Sequence, residues 1–208
     1  VRHLLKGLYV ITDKKLIPRD RFIETVEKAI AGGARVVQLR EKDTPQEEII
    51  RLGKGLLEVT RRYRIPLIIN DSPEIAKEIG ADGVHLGKDD PPILRARMLL
   101  SKEAIIGVSC YGEIERGLEA EKEGADYVAF GTPFFTPTKP DRLPTPLEVL
   151  REAKRRIGIP IFAIGGINTE NARSILETGV DGIAVITSVF GSADPERVAQ
   201  DLASLFER

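Results

Sequence analysis

Tryptophan is missing from this 208-residue sequence, and cysteine and methionine each occur once. A single cysteine, Cys110, excludes an intrachain disulfide and leaves burial to hold the fold. It suits a reducing compartment, so the cytoplasm is the expected location. Long apolar runs are missing as well. None approaches the ~20 residues of a membrane-spanning helix. The first residues, VRHLLKGLYVITD, hold a short apolar run without a small-residue cleavage pattern and read as a strand, not a signal peptide. Nor is there a surplus of either charge: 31 Lys and Arg stand against 32 Asp and Glu, a formal net charge of −1. Such a balance gives no bulk attraction to nucleic acid or to an anionic membrane. Any preference for anions has to come from a local cluster.

What is present is a 42% hydrophobic chain in which short apolar runs alternate with segments of helical period. The strand candidates are Leu8–Thr12, Val36–Arg40, Leu67–Asn70, Gly83–Leu86, Ile105–Ser109, Tyr127–Gly131, Ile161–Gly165 and Gly182–Ile186. Helix starts are written between them. Thr44-Pro45-Gln46-Glu47 reads as an N-cap followed by proline and acids. Asn168–Asn171 and Ser192–Pro195 are further starts, and Gly32-Gly33, Gly80, Gly124 and Gly179 sit where helices should end. Strands that are apolar throughout are covered on both faces, which requires parallel pairing and crossover helices. An internal echo sharpens this: GGARVVQLR, GADGVHLG, GADYVAFG and GVDGIAVI fall on the second, fourth, sixth and eighth strands. A unit recurring every two strands predicts a closed (β/α)8 TIM barrel, one α/β domain over residues 1–208.

In such a barrel the chemistry lies at the C-terminal ends of the strands. The second strand ends Gln38-Leu-Arg40-Glu-Lys42. Gln38 and Arg40 share a face, and Arg40 with Lys42 offers a forked donor beside a point charge, a pairing suited to phosphate. The plain alternative is a surface ion-pair cluster with Glu41 and Asp43. The third strand ends in Asn70-Asp71, where Asp71 or Ser72 could instead cap the helix near Pro73. The fourth ends in His85, then Asp89 and Asp90, which could cap the helix after Pro91-Pro92. Taken together, Asp71 and Asp90 lie on adjacent strands beside the basic pair. That combination suggests Mg²⁺ bridging to a phosphate-bearing ligand, since Mg²⁺ takes one or two carboxylates plus substrate oxygens. His85 reads as a hydrogen-bonded pocket or core histidine. Ser109 ends the fifth strand with no histidine or acid in the neighbouring sequence to activate it, so it reads as a hydrogen-bond donor. Cys110 reads as inert.

Gly165-Gly166 after the seventh strand and Ile186-Thr187 after the eighth stand where these barrels build a backbone phosphate cradle. Two anion sites therefore face each other across the mouth. Between them runs GTPFFTPTKPDRLP, residues 131–144. It has neither helix nor strand period and reads as a lid, with Lys139 reaching the first anion and Thr136 and Thr138 offering hydroxyls.

LYVITD, VVQLREKD, LIINDS, GADGVHLGKDD, IIGVS, GADYVAFGTPFFTPTK, PIFAIGGIN and GVDGIAVITSVF, in this order, resemble the thiamine-phosphate synthase family over almost the whole chain. The resemblance implies a Mg²⁺-dependent transferase. It would join 4-amino-5-hydroxymethyl-2-methylpyrimidine diphosphate to 4-methyl-5-(2-phosphoethyl)thiazole and release pyrophosphate by a dissociative path. It further implies that Arg40, Lys42, Asn70 and Lys139 bind the pyrophosphate and that Asp71 and Asp90 hold the metal. Gln38 and Ser109 would contact the pyrimidine diphosphate. Thr136, Thr138, Gly166, Ile186 and Thr187 would hold the thiazole phosphate, and Ser109, Lys139 and Arg40 would be the catalytic set. The implied partners are these small molecules, without nucleic acid or membrane. Two positions depart from the family: Lys88 replaces the usual Gln, and Thr187 the usual Ser. The related thiazole tautomerase would carry a histidine where this chain has Thr132. A noncatalytic precursor-binding protein would be expected to lose Asp71, Asp90 or Lys139, and all three are present.

Overall fold

The computed structural model describes residues 5–136 and 143–207. Eight parallel strands close into a barrel in sequence order. They are β1 (Gly7–Ile11), β2 (Val36–Leu39), β3 (Leu67–Asn70), β4 (Gly83–Leu86), β5 (Ile105–Tyr111), β6 (Tyr127–Gly131), β7 (Ile161–Ile164) and β8 (Gly182–Val185). Between them run α1 (Phe22–Ala31), α2 (Gln46–Tyr63), α3 (Pro73–Ile79), α4 (Ile93–Leu99), α5 (Ile114–Lys122), α6 (Leu147–Arg156) and α7 (Ala172–Leu176). The short α8 (Thr187–Phe190) and α9 (Pro195–Ala203) follow β8. The expected (β/α)8 barrel is therefore observed. Thr12, Arg40, Gly165 and Ile186 fall just beyond their strands, whereas β5 runs two residues further than its period suggests.

Strand residues alternate between two cores, which is why the strands read as continuously apolar. Leu8, Val10, Val37, Leu39, Val84 and Ile106 point outward to the helices. Tyr9, Ile11, Val36, Ile68, Ile105, Tyr127, Phe162 and Ala184 fill the interior. Tyr9, Tyr127 and Phe162 meet edge to face with centroids 5.2–5.9 Å apart, a favoured aromatic geometry. Gly107 pairs with Tyr127 in register, and a Cβ there would stand inside the phenol ring. The missing side chain of Gly107 is the space Tyr127 occupies.

The internal echo has a mechanical cause. Asp82 Oδ2 accepts the backbone N–H of Leu67 at 2.8 Å, Asp126 Oδ2 that of Ile106 at 2.8 Å, and Asp181 Oδ2 that of Ile161 at 2.8 Å. Each aspartate, just before an even strand, satisfies an N–H at the start of an adjacent odd strand. In the first copy the position is Arg35, whose N–H bonds the carbonyl of Leu8 at 2.8 Å. These ties lie at the N-terminal face, where residues serve stability and leave chemistry to the opposite end.

Helix ends mostly follow the sequence signals. Ser72 Oγ accepts from Ile75 N at 3.1 Å, and Asp194 accepts from Arg197 N at 3.0 Å ahead of Pro195. Thr44 is a correction. The helix begins one residue later, behind Pro45, with no side-chain cap, and the Thr44 hydroxyl turns back to the Lys42 carbonyl at 3.4 Å.

Candidate active site

The C-terminal mouth of the barrel opens into a cavity of about 1140 Å³. Gln38, Arg40, Asn70 and Ser109 line one side, and Gly165, Gly166, Ile186, Thr187 and Thr136 line the other. Pockets for one small ligand usually run about 300–1,000 Å³, so this space exceeds the usual range for one. Thr138 and Lys139 lie outside the described residues.

The predicted acids are not helix caps. Ser72 takes the cap of α3, leaving Asp71 free of it, and the Asp71 backbone sits in the left-handed region at φ 67°. Its N–H bonds the His85 carbonyl at 2.8 Å, which fixes the turn out of β3 against β4. Asp90 folds back to accept the Gly87 N–H at 2.6 Å, and α4 starts at Pro92 without a side-chain cap. The two carboxyls face each other. Asp90 is raised above the usual carboxylate range, first by burial and further by the neighbouring Asp71. Lys42 Nζ bonds Asp71 Oδ2 and so places its cation against this acid pair. Asp71, Asp90 and Lys42 stand beside the large cavity and not in its wall. Asn70 and Lys88 of the adjoining residues do line it. Among the described residues no group of three or more His, Cys, Asp and Glu could hold a metal. Two facing, partly buried carboxylates nevertheless fit Mg²⁺, which would complete its shell with water and phosphate oxygens.

The basic pair is not a surface cluster with Glu41 and Asp43. Arg40 Nη1 lies 3.4 Å from Asp13 Oδ2, and the Arg40 N–H bonds Thr12 Oγ1 at 2.9 Å. The Glu41 side chain is fully buried, 2.6 Å from Arg19 Nη2 and 3.3 Å from Thr12 Oγ1. Burial raises its carboxyl, and pairing with Arg19 only partly offsets this. Glu41 thus anchors the turn from beneath, while Arg40 and Lys42 emerge on the site side. Asp13, Thr12 and Arg19 escape a reading confined to local motifs, because they come from another strand end and its following loop.

Ser109 reads from the sequence as a hydrogen-bond donor, and the structure gives it a neighbour. No activating group is near it in sequence, yet His85 Nε2 on the neighbouring strand β4 lies 2.8 Å from Ser109 Oγ. The other ring nitrogen of His85 is 2.9 Å from the Tyr127 hydroxyl. The hydroxyls of Tyr127 and Tyr9 are 2.8 Å apart, and Gln38 Nε2 donates to Tyr9 at 2.7 Å. His85 is the hydrogen-bonded pocket histidine its mid-strand position suggests. Tyr9 and Tyr127 pass as core aromatics in the sequence, since nothing local reveals that their hydroxyls meet. Cys110 points away from the cavity. It is buried, and burial pushes its thiol up to about 12.

At the far wall Gly165 and Gly166 take φ of 121° and 63°, which favour glycine. A Cβ on Gly166 would strike the Phe135 carbonyl, so the turn and the start of the 131–144 loop touch there. Thr132 Oγ1 donates to the Gly165 carbonyl and accepts from Phe134 N at 3.3 Å, latching that loop to β7. Ser188 was not singled out from the sequence. It lines the same wall, and its buried Oγ has no hydrogen-bond partner among the described residues.

A family model described as thiamine monophosphate synthase matches residues 8–189. The chain belongs to that family. A thiamine-phosphate synthase of Methylococcus capsulatus is 51% identical over 201 residues, 97% of this chain and 89% of that protein. The thiamine-phosphate synthase of Pyrococcus furiosus is 44% identical over 207 residues, covering 100% of this chain and 97% of that one. A solved thiamine phosphate pyrophosphorylase from Pyrococcus furiosus superposes with a TM-score of 0.90 at 43% identity, over 99% of this chain and 97% of that chain. Membership in the thiamine monophosphate synthase family makes the chain an enzyme of thiamine biosynthesis. No described helix is long and apolar enough to cross a membrane.

Proposed function

We propose that the chain is a Mg²⁺-dependent thiamine-phosphate synthase. It would join 4-amino-5-hydroxymethyl-2-methylpyrimidine diphosphate to 4-methyl-5-(2-phosphoethyl)thiazole, giving thiamine phosphate and pyrophosphate. One observation carries the reading: a facing acid pair, Asp71 and Asp90, with Lys42 against it, at the edge of a cavity larger than one small ligand usually needs.

Asp71 and Asp90 would hold Mg²⁺, which when bound neutralises charge on a diphosphate. The side chains divide the remaining work. Arg40, Lys42 and Asn70 bind the diphosphate oxygens, and Lys139 reaches them from the lid. Charge developing on the leaving group is met by cations already in place, which is where electrostatic catalysis gains most. The C–O bond to pyrophosphate breaks, the amino-substituted ring stabilises the methylene cation, and the thiazole nitrogen forms the new C–N bond. Gln38 and Ser109 orient the pyrimidine. Thr136, Thr138, Gly166, Ile186 and Thr187 hold the thiazole phosphate opposite it, with the Ser188 hydroxyl as a further donor. The loop over Gly166 keeps water from the cation. The Thr132 hydroxyl is committed to Gly165 and Phe134, so that position offers no acid–base group for a tautomerase.

The test mixes both substrates with the purified protein and Mg²⁺ and follows thiamine phosphate and pyrophosphate. Stoichiometric formation of both is expected, with loss of turnover on chelation. Consumption of the pyrimidine diphosphate without thiamine phosphate, or undiminished turnover in chelator, would refute the reading.

A further inference from the structure

Five side chains form an unbroken hydrogen-bonded chain through the barrel interior: Gln38, Tyr9, Tyr127, His85 and Ser109. With the Gln38 amide nitrogen turned toward Tyr9, the proton positions follow from counting donors. Gln38 Nε2 is a donor only, so the Tyr9 oxygen accepts from it. The Tyr9 hydroxyl hydrogen then points to Tyr127, its other partner at 2.8 Å. Tyr127 has spent its oxygen as acceptor and directs its own hydrogen to His85 Nδ1 at 2.9 Å. His85 must therefore carry its proton on Nε2, which donates to Ser109 Oγ at 2.8 Å. An imidazolium would leave the Tyr127 hydrogen without an acceptor, at the cost of a buried unpaired donor. Ser109 thus receives a proton from His85 and cannot surrender its own to it. Although the serine and histidine touch, the serine is not primed as a nucleophile. Its own O–H is left to point into the cavity, and at the opposite end Gln38 is left with Oε1 beside its second amide N–H.

We infer that Tyr9, Tyr127 and His85 are positioning residues that lock the polarity of this relay, making Ser109 a donor and Gln38 an acceptor toward a ligand. The locked pattern selects a heteroaromatic ring that offers an amino N–H to Gln38 and an acceptor to Ser109. It rejects the oxo analogue, whose carbonyl would face Gln38 Oε1. This deepens the proposed function and rests on it for the ligand, but not for the proton positions. Both phenols are wholly buried and held neutral by that burial, so neither end of the relay is disturbed by phenolate formation.

Two measurements separate these layers. The first is ¹⁵N NMR of the histidine-labelled, unliganded protein, with the two histidines assigned through His3→Gln. It should show His85 as a single Nε2–H tautomer. An Nδ1–H tautomer, an even mixture or a doubly protonated ring would overturn the relay, whatever the enzyme's activity. The second compares kcat/KM for the aminopyrimidine diphosphate and its 4-oxo analogue in wild type and in Tyr9→Phe. Wild type should discriminate by at least about a hundredfold. Tyr9→Phe frees the Gln38 amide to turn over and should narrow that ratio about tenfold or more. If Tyr9→Phe does not fold, Tyr127→Phe carries the same expectation, since it releases His85 to exchange tautomers. Discrimination that stays at its wild-type value in the folded variant would overturn the positioning role. A protein with the expected tautomer but no thiamine phosphate synthesis would sink the proposed reaction and leave the relay standing.

Discussion

At the scale of single residues, the mouth of the barrel is ordered by side chains that never need to meet a substrate. Glu41 is the clearest case. Its carboxylate is buried beside Arg19 and Thr12, between two basic residues that face the other way. Burial raises its proton affinity above the value of 4.5 for a free glutamate. The folded protein therefore holds this proton more tightly than the unfolded chain does. The contribution is fully present below 4.5 and is lost as pH rises through the folded value. The melting temperature of the native protein relative to Glu41→Gln should accordingly fall between about pH 4 and pH 7. Thermal unfolding of both proteins across that range checks it, and a relative rise would refute the assignment. The sequence displayed Arg40, Glu41 and Lys42 as one charged run. It could not display that the run splits, because alternate residues leave a strand end in opposite directions and their partners come from the segments after β1 and β3.

At the scale of elements, the recurring Gly-x-Asp before the even strands is legible in the sequence as pattern and intelligible only in the structure. Asp82, Asp126 and Asp181 each accept an N–H of an odd strand, which joins two strands into one unit. Asp126 also bonds Arg97. Asp126→Ala would strand the Ile106 N–H and take one partner from the Arg97 guanidinium, which keeps the Ala104 and Gly124 carbonyls, so a loss of about 1–3 kcal/mol is expected. Because the residue is at the face opposite the mouth, KM for either substrate should stay unchanged. Chemical denaturation with steady-state kinetics tests both halves, and a raised KM with unaltered stability would contradict the structural role. Elsewhere local signals misplace an end by a residue or more. Thr44 yields the start of α2 to Pro45. The C-terminal position of that helix is Arg64 at φ 57°, where glycine would be the usual choice. The bulge between Ser109 and Tyr111 lengthens β5 past its apolar period. In β5, pairing with β6 outweighs a weak local preference.

At the scale of the whole molecule, closing the sheet brings residues more than a hundred positions apart into contact, as Tyr9 and Tyr127 are. The proposed anion site is similarly assembled, from the ends of β2 and β3 and the loop after β4. Ligand binding should therefore tie the barrel mouth together. Pyrophosphate with Mg²⁺ at about a hundred times its dissociation constant would add about 2.7 kcal/mol, or roughly 5–10 °C in melting temperature for a chain of this size. Either component alone should give much less. Asp71→Asn with Asp90→Asn should remove the joint shift while leaving the unliganded melting temperature at or above that of wild type, because one source of carboxylate repulsion is gone. Differential scanning calorimetry decides this, and an undiminished joint shift in the double variant would place the metal elsewhere.

The amino-acid sequence alone determined the repeating order of strands and helices, the closed barrel, the family and several of the described residues that line the mouth, Gln38, Arg40 and Asn70 among them. Those properties are written in period, in punctuation by glycine and proline, and in short contiguous motifs. Only the tertiary structure decided which way each side chain of a motif turns, which acids cap helices and which face each other. It also decided that His85 reaches Ser109 and that two core tyrosines connect it to Gln38. The physical reason is that hydrogen bonds and charge pairs act over about 3 Å of space and are blind to separation along the chain. Closure of the barrel sets those neighbours, and no local stretch of sequence records them.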